Sequence, residues 1–341
     1  MKKQIYFLSM LFICANIYAQ SLNNVKQKKS SSHTPTGSCI KYEADDAMVR
    51  KENNVAATNT YYYDAVSNKK EILTGTVKYD NSGNKTEELS FNETGALINK
   101  IIKQYDSKGN ETSRQSYDNN VLVSTTITNY NEFGNEITKE ITDNTTNVKS
   151  KLEFLYDGNN NLLNQNMIGN DRSLRSLSTF RYDNSDRLIE KISRSGDNKI
   201  LSKSTFAYDS KGNLIEQENI EPSTGISSKY SMKYDDSGNL TENKYFYSGI
   251  EEQSFKYSFD SNGNNIEGSY FYKGGLVSVL TTKFDANNNK TEEILKLKDG
   301  SLSSKTTYSY NKKNMLTETI YWDVKTLAPS GKVINKYEYN K

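Results

Sequence analysis

The chain has 341 residues, and its 44 Lys and Arg against 42 Asp and Glu give a net charge of +2. Such a balance exerts no long-range attraction on nucleic acid or on an anionic membrane, so no nucleic-acid partner is expected. With one histidine, two cysteines and only 34% hydrophobic residues, the composition argues against histidine-based triads and metal sites and against a thick two-layer core.

The first segment, 1–19, predicts a secretory signal peptide. Lys2 and Lys3 precede a short apolar stretch, and cleavage after Ala19 is the simplest interpretation. Cys14 raises a lipoprotein alternative, although "LFIC" lacks the small residues expected before a lipidated cysteine. No later segment has about 18 apolar residues in a row, so no transmembrane segment is expected. We therefore expect a secreted, periplasmic or cell-surface protein.

Residues 20–60 predict a flexible polar leader that is rich in lysine and serine. The leader contains His33, the only histidine, and Cys39, the only cysteine left after cleavage. An intramolecular disulfide is therefore excluded in the mature chain. His33 is interpreted as a solvated linker residue, and Cys39 is not favoured as a nucleophile because it lacks a partner histidine.

The third segment, 61–341, is a repeat domain in which one motif returns every 25 or 26 residues. The motif is clearest in "YDSKGN", which occurs at both Tyr105 and Tyr208. The aromatic residues that open the ten clear copies are Tyr79, Tyr105, Tyr130, Tyr156, Tyr182, Tyr208, Tyr234, Phe259, Phe284 and Tyr310. A fixed period of this length is the signature of a repeat architecture.

The fifth residue of each motif indicates a tight turn. It is Gly, Asn or Asp, the residue types that most readily adopt a positive φ. An Asp or Asn three places earlier can bond the turn backbone. The pattern favours a type I turn followed by a bulge residue, which is a three-residue hairpin loop. The glycines predicted to have this structural role are Gly83, Gly109, Gly134, Gly212, Gly238 and Gly263.

The segments between the motifs alternate as strands do. At even offsets before the motif aromatic stand leucine, serine, an aromatic residue and tyrosine, which predicts one shared face, while lysine recurs on the other face. Glutamate recurs eight places after the aromatic. Because of the bulge, the sequence does not show on which face of the sheet these glutamates lie. The predicted fold is all-β: a repetitive antiparallel β-hairpin meander of about ten repeats that forms a twisted, coiled or spiralling sheet.

The recurring "YDxxGN", followed by "LTE" in "YDDSGNLTENKY" from Tyr234, resembles the YD repeats of the RHS family over nearly the whole chain after residue 60. The resemblance implies a spiralling sheet of hairpins, as in the shells that enclose toxins in large RHS proteins. This array is short, asparagine replaces the family's arginine after the glycine except at Arg187, and nothing after Tyr310 resembles a toxin or self-cleavage domain. MORN-like repeats are the runner-up, because "YFYSG" and "YFYKGG" match their "YxxG" hairpins.

The sequence offers little chemistry for catalysis. Adjacent carboxylates such as Glu87–Glu88 point to opposite faces of a strand, whereas a glycosidase needs two carboxylates across a cleft. We expect no enzyme, and a carboxylate-based glycoside hydrolase is the least favoured hypothesis. Asn- and Asp-rich turns such as "YDGNNN" could hold calcium through oxygen ligands, but turn chemistry already accounts for them, so no cofactor is expected and calcium is the alternative.

Aromatic residues outside the motif are the candidate binding residues. Their local density is high for a chain with few other apolar residues, whereas the motif tyrosines are interpreted as the buried face. The candidates are Tyr245, Tyr247, Tyr270, Tyr272 and Trp322. The leading hypothesis is a secreted or cell-surface, non-catalytic β-repeat protein that acts as a structural or adhesion scaffold. The alternative is a glycan- or cell-wall-binding module. The partner would be a protein or a cell-surface glycan, and the oligomeric state is left open.

Overall fold

The computed structural model describes residues 47–64 and 71–340, which form a short helix over 47–52 and one antiparallel sheet of 22 strands. No helix in these two ranges is long and apolar enough to cross a membrane. The strands are β1 Val55–Asp64, β2 Ile72–Tyr79, β3 Lys85–Phe91, β4 Leu97–Tyr105, β5 Glu111–Asp118, β6 Val121–Tyr130, β7 Glu136–Asp143, β8 Val148–Tyr156, β9 Leu162–Ile168, β10 Leu174–Tyr182, β11 Leu188–Ser195, β12 Ile200–Tyr208, β13 Leu214–Glu221, β14 Ile226–Tyr234, β15 Leu240–Tyr247, β16 Ile250–Phe259, β17 Asn265–Tyr272, β18 Gly275–Phe284, β19 Lys290–Leu297, β20 Leu302–Tyr310, β21 Leu316–Trp322 and β22 Pro329–Tyr339.

The sheet closes on itself. Each strand pairs with the next along the chain, and β1 pairs both with β2 and with β22, from Val55 opposite Tyr339 to Asp64 opposite Gly331. At about 4.8 Å per strand, 22 strands give a perimeter of roughly 105 Å. The prediction of a repetitive all-β meander is confirmed, and the curling that twist imposes takes the form of a closed barrel without free edges.

The folded region begins earlier than the predicted domain start at residue 61. The signal peptide, His33 and Cys39 lie outside the described residues, but residues 47–60 of the predicted flexible leader form the helix and most of β1. Arg50 is only 6% exposed; its Nε donates to the Gly83 carbonyl oxygen at 3.1 Å, and its guanidinium lies 4.6 Å from the centre of the Tyr79 ring. The end of the leader is therefore ordered by contact with the first hairpin tip.

The repeated motif forms the hairpin tips. In the first copy, the Gly83 amide donates to the Asp80 carbonyl oxygen at 3.0 Å, and the Asp80 amide donates to the Asn84 carbonyl oxygen at 3.0 Å. The pairing of β2 with β3 shifts by one residue at Tyr79, which is the expected bulge. Gly83 has φ of 81°, and the other five glycines named above also have positive φ.

The two faces of the sheet differ in chemistry. The tyrosine face carries the motif aromatics and the residues two places before them, and the charged face is the opposite one. The facing of the glutamate column is settled by register, because Glu87 lies opposite Lys78 and pairs with it at 2.6 Å. The same pairing recurs at 2.7 Å between Lys233 and Glu242. The glutamates therefore lie with the lysines on the charged face.

The core is a single layer on the tyrosine face. Phe206, Leu214 and Met232 come from three consecutive strands and form one buried cluster. Several hairpins have a second bulge near the end that is opposite the motif turn. Where this bulge occurs, the leucine-like residue eight places before the motif aromatic does not lie on the tyrosine face. In β12, Ser202 lies opposite Ser193 but Ile200 lies opposite Arg194, so the extra residue reverses the alternation. The predicted placement of that residue on the tyrosine face is wrong where this bulge occurs.

Candidate functional site

Four of the five predicted aromatic residues lie in one region of the tyrosine face. Tyr245 lies opposite Gln253, which lies opposite Tyr272, so these three residues form one row across β15, β16 and β17. Tyr247 lies opposite Ile250 in the next row on the same face. The backbones of Tyr245 and Tyr272 are two strands apart, or roughly 10 Å. We call Tyr245, Tyr247, Ile250 and Tyr272 the aromatic patch.

Three residues of the patch are exposed and the fourth is half-buried. Tyr247, Ile250 and Tyr272 are 44%, 62% and 47% exposed. Tyr245 is half-buried against Tyr230, with ring centres 5.0 Å apart, and burial raises the pKa of Tyr245. Tyr245 is thus the packed member of the patch.

Tyr270 belongs to the core instead of the exposed surface. It is 8% exposed and stacks on Phe255 with ring centres 5.0 Å apart. Phe255 in turn stacks on Tyr257 at 6.4 Å. Tyr270 therefore stabilises the region next to the patch but offers little area to a ligand.

Trp322 lies on the charged face, away from the patch. It is opposite Lys305 in the pairing of β20 with β21, and the Lys305 ammonium lies 5.2 Å from the centre of the indole ring. Its indole N–H donates to Thr307 Oγ1 at 3.0 Å. The structure therefore does not bring Trp322 together with the four tyrosines.

Two tight turns fix the exposed tyrosines. Ser248 and Gly249 have φ of 47° and 80°, and Lys273 and Gly274 have φ of 47° and 77°. Positive φ at both central residues is the type I′ geometry that matches the twist of a hairpin. Because Tyr247 and Tyr272 immediately precede these turns, the turn geometry determines their backbone positions.

A feature that sequence reasoning missed is a ladder of tyrosine hydroxyls between tips. The Tyr105 hydroxyl donates to the Lys85 carbonyl oxygen at 2.8 Å, which links one tip to the preceding one. Equivalent bonds are made by Tyr130, Tyr156, Tyr182, Tyr208 and Tyr234. Burial raises the pKa of all six phenols to about 12. The feature of the sequence that could have indicated this ladder is the preference for tyrosine over phenylalanine at the start of the motif.

The turn carboxylates already accept several hydrogen bonds. Asp209 Oδ1 accepts from the amides of Lys211 and Asn213 at 2.9 and 2.8 Å, and Oδ2 accepts from the Asn213 side-chain amide at 2.9 Å. These bonds, led by the Asn213 side chain, lower the pKa of Asp209. At Asp183 the partner is Arg187 Nε, so asparagine and arginine serve the same carboxylate.

The calcium hypothesis stays a prediction. Within 47–64 and 71–340 no group of three or more His, Cys, Asp or Glu side chains is arranged to hold a metal ion.

Adjacent carboxylates serve opposite faces, as the strand pattern predicted. Glu87 pairs with Lys78 on the charged face, while Glu88 pairs with Lys103 on the tyrosine face at 2.5 Å. Glu292 bridges Lys283 and Lys305 at 2.7 and 3.0 Å. Ion pairing accounts for these carboxylates, and the expectation that the chain is no enzyme stays a prediction.

Two grooves lie between neighbouring hairpin tips. The first has a volume of about 520 Å³ and is lined in part by Asp80, Lys103 and Asp106. The second has a volume of about 400 Å³ and is lined by Asp235, Ser237, Asn239, Thr241, Tyr257, Ser258, Phe259, Asp260, Ser261, Asn262 and Gly263. At the next tip the positive-φ residue is Asn288. Its side-chain oxygen accepts hydrogen bonds from the side-chain amides of Asn262 and Asn264 at the preceding tip, and these bonds join the two tips.

No protein-family model matches the chain, and no curated protein matches it. Among solved structures it is similar to a TcdB2–TccC3 toxin component, with 12% identity over 77% of this chain and a TM-score of 0.34, and it spans only 18% of that chain's length. It is also similar to a porin-like protein from Bacteroides uniformis, with 14% identity, a TM-score of 0.25, and coverage of 84% of this chain and 97% of that one. These likenesses are of general all-β architecture only. Membership of the RHS family or of the MORN-like class stays a prediction.

Proposed function

We propose that the chain is an exported, non-catalytic β-repeat scaffold that binds glycan chains through the aromatic patch. The observation that carries the proposal is the exposure of Tyr247, Ile250 and Tyr272 together on one face of a rigid sheet. Isolated apolar residues on a surface are ordinary, but a contiguous aromatic group is typical of a recognition site.

The chemistry of the patch suits a sugar chain. Sugars present C–H groups on their ring faces and hydroxyls around the edge, so a binding site needs flat apolar surface next to hydrogen-bonding groups. Tyrosine supplies both a ring and a hydroxyl. The Gln253 amide lies between Tyr245 and Tyr272 in the same row. The separation of roughly 10 Å between those two tyrosines favours an extended chain over a single small sugar.

The scaffold favours binding because it is already ordered. The type I′ turns fix the backbone next to Tyr247 and Tyr272, and the Tyr245 ring packs on Tyr230. A backbone that is ordered before binding loses little conformational entropy when a ligand arrives. Export, which the N-terminal segment predicts, would place this surface where cell-surface or cell-wall glycans occur.

The test is binding of residues 20–341 to a panel of polysaccharides and cell-wall fractions, with and without calcium. We expect saturable binding that falls at least tenfold in the double variant Tyr247→Ala and Tyr272→Ala, with unchanged thermal stability. Tyr321→Ala is the matched control, because Tyr321 is 43% exposed on β21 outside the patch. The control should bind as the parent does.

Three results would contradict the proposal. Absence of binding across the panel, or equal binding by the double variant, would reject the patch as a glycan site. Release of reducing ends from a bound polysaccharide, abolished by one carboxylate substitution, would reject the non-catalytic assignment. A requirement for calcium would instead support the turn-bound calcium predicted as an alternative.

A further inference from the structure

We infer that the glycan site continues beyond the aromatic patch over β14 and β13, and that it takes a linear, uncharged polysaccharide lying across the strands. The added surface consists of Asn219, Ser228 and Tyr230, which we call the patch extension. None of the binding predictions included these three residues. The longer site rests on the proposed function, because the aromatic patch forms half of it.

The patch extension continues both rows of the patch on the tyrosine face. Tyr230 lies opposite Tyr245 and extends its row to β14. Ser228 lies opposite Tyr247, and Asn219 lies opposite Ser228, so these two residues extend the other row to β13. The surface from β13 to β17 covers four strand spacings, or roughly 19 Å, which is about twice the span of the patch alone.

The two rows carry no charge, although 25% of the chain is charged. One row consists of Gln217, Tyr230, Tyr245, Gln253 and Tyr272, and the other of Asn219, Ser228, Tyr247 and Ile250. The first hairpins differ, because the residue equivalent to Gln217 is there Glu88, Arg114 or Lys139. An anionic sugar would lose water on the two rows without gaining a counter-charge, whereas a neutral sugar would not incur that cost.

Charged residues mark the two ends of this neutral surface. Lys273 follows Tyr272 at one end and pairs with Glu252 at 3.5 Å. At the other end the row of Asn219 reaches Lys191 two strands further on, and the Lys191 ammonium lies 5.5 Å from the centre of the Phe180 ring. The neutral surface is therefore long in the direction that crosses the strands, and a linear chain fits it better than a branched one.

Asn219 supplies the hydrogen-bonding group of the patch extension. Its Oδ1 accepts from Ser204 Oγ at 2.7 Å and from the Gln217 side-chain amide at 3.2 Å, and these bonds orient the half-buried amide. Within the described part of the chain neither bond uses the Asn219 side-chain N–H groups, which leaves both for a sugar oxygen. The Tyr230 ring, with its centre 5.0 Å from that of Tyr245, adds apolar surface beside them.

The test is isothermal titration calorimetry of residues 20–341 with linear oligosaccharides, from disaccharide to octasaccharide. The neutral probes are cello-, xylo-, manno- and malto-oligosaccharides, and oligogalacturonides are the anionic comparison. In at least one neutral series we expect the affinity to rise at least tenfold with length and then to level off, because only the longer chains reach β13. Oligogalacturonides of the same length should bind at least tenfold more weakly.

Asn219→Ala tests the patch extension directly. It should weaken binding of the longest neutral oligosaccharide about fivefold, the effect of one hydrogen bond. The shortest oligosaccharide that binds should be unaffected, because it reaches only the aromatic patch, whereas a general disturbance of the sheet would weaken both. The matched control is Asn166→Ala on the charged face of β9, opposite Glu153, which should bind every length as the parent does.

Failure of the patch extension is distinguishable from failure of the proposed function. Binding that needs Tyr247 and Tyr272 but depends neither on length nor on Asn219 would overturn the longer site alone. Preference for oligogalacturonides would overturn its neutral specificity. Absence of binding by every series would overturn the longer site together with the proposed function.

Discussion

At the scale of single residues, the motif tyrosine acts through its hydroxyl as well as through its ring. The Tyr208 hydroxyl donates to the Leu188 carbonyl oxygen at 2.8 Å, and burial raises the pKa of Tyr208 to about 12. The sequence predicted the burial of these rings from their even spacing. It could not show the hydrogen bond, because the acceptor is a backbone carbonyl in the preceding repeat.

The ladder predicts loss of stability at alkaline pH. The folded-state pKa of six tyrosines is about 12, against about 10 in an unfolded chain. The neutral phenols therefore contribute fully below pH 10, and their contribution is lost as the pH rises to 12. Tyr208→Phe should lower the free energy of unfolding at pH 7 by about 1 kcal/mol and make the alkaline decline shallower, as measured by urea unfolding from pH 7 to 12.

Tyr247→Phe is the matched control for the ladder, since Tyr247 is 44% exposed and lies outside it. Its unfolding curve should follow that of the parent. An unaltered alkaline decline in Tyr208→Phe would show that the ladder does not determine stability there.

At the scale of the hairpin, the sequence predicted the turns, but it did not predict the face of the sheet on which each side chain lies. The tips follow from residues four apart, so "YDxxGN" identifies them directly. The face on which a side chain lies depends on the bulges that precede it, because each bulge adds one residue and shifts the alternation. Tyr245 and Tyr270 stand eleven places after a motif aromatic, whereas Trp322 stands twelve places after one. That single residue places Trp322 on the opposite face, and the sequence count alone could have separated it from the other candidates.

Asparagine at the positive-φ position of a hairpin tip can join that tip to the preceding one. The Asn288 side chain accepts from Asn262 and Asn264 of the preceding tip at 3.2 and 2.9 Å. Asn288→Gly keeps the backbone conformation but removes both bonds. We expect faster amide hydrogen exchange at the preceding tip, with a loss of global stability below about 1 kcal/mol. Asn160→Gly, at a tip with the same φ sign, is the control and should leave exchange at the neighbouring tip unchanged.

At the scale of the whole molecule, closure depends on a contact that no repeat encodes by itself. Thr58 of β1 lies opposite Val77 of β2 and opposite Tyr337 of β22. The repeat period predicted the meander and about twenty strands. It did not predict closure, because the meeting of the first and last strands depends on twist summed over all 22 strands. The seam is therefore where the architecture should be most sensitive to deletion.

Removal of residues 329–341 deletes β22 and should leave β1 and β21 as open edges. Unpaired edges recruit other strands, so we expect the shortened chain to self-associate in light scattering and to unfold at lower temperature. A synthetic peptide of residues 329–341 should reverse this self-association by strand addition. The same peptide with Val333→Pro should not, because Val333 lies between Tyr62 of β1 and Thr319 of β21, where proline interrupts the ladder. A shortened chain that associated no more than the full chain and was equally stable would show that the first 21 strands do not need closure.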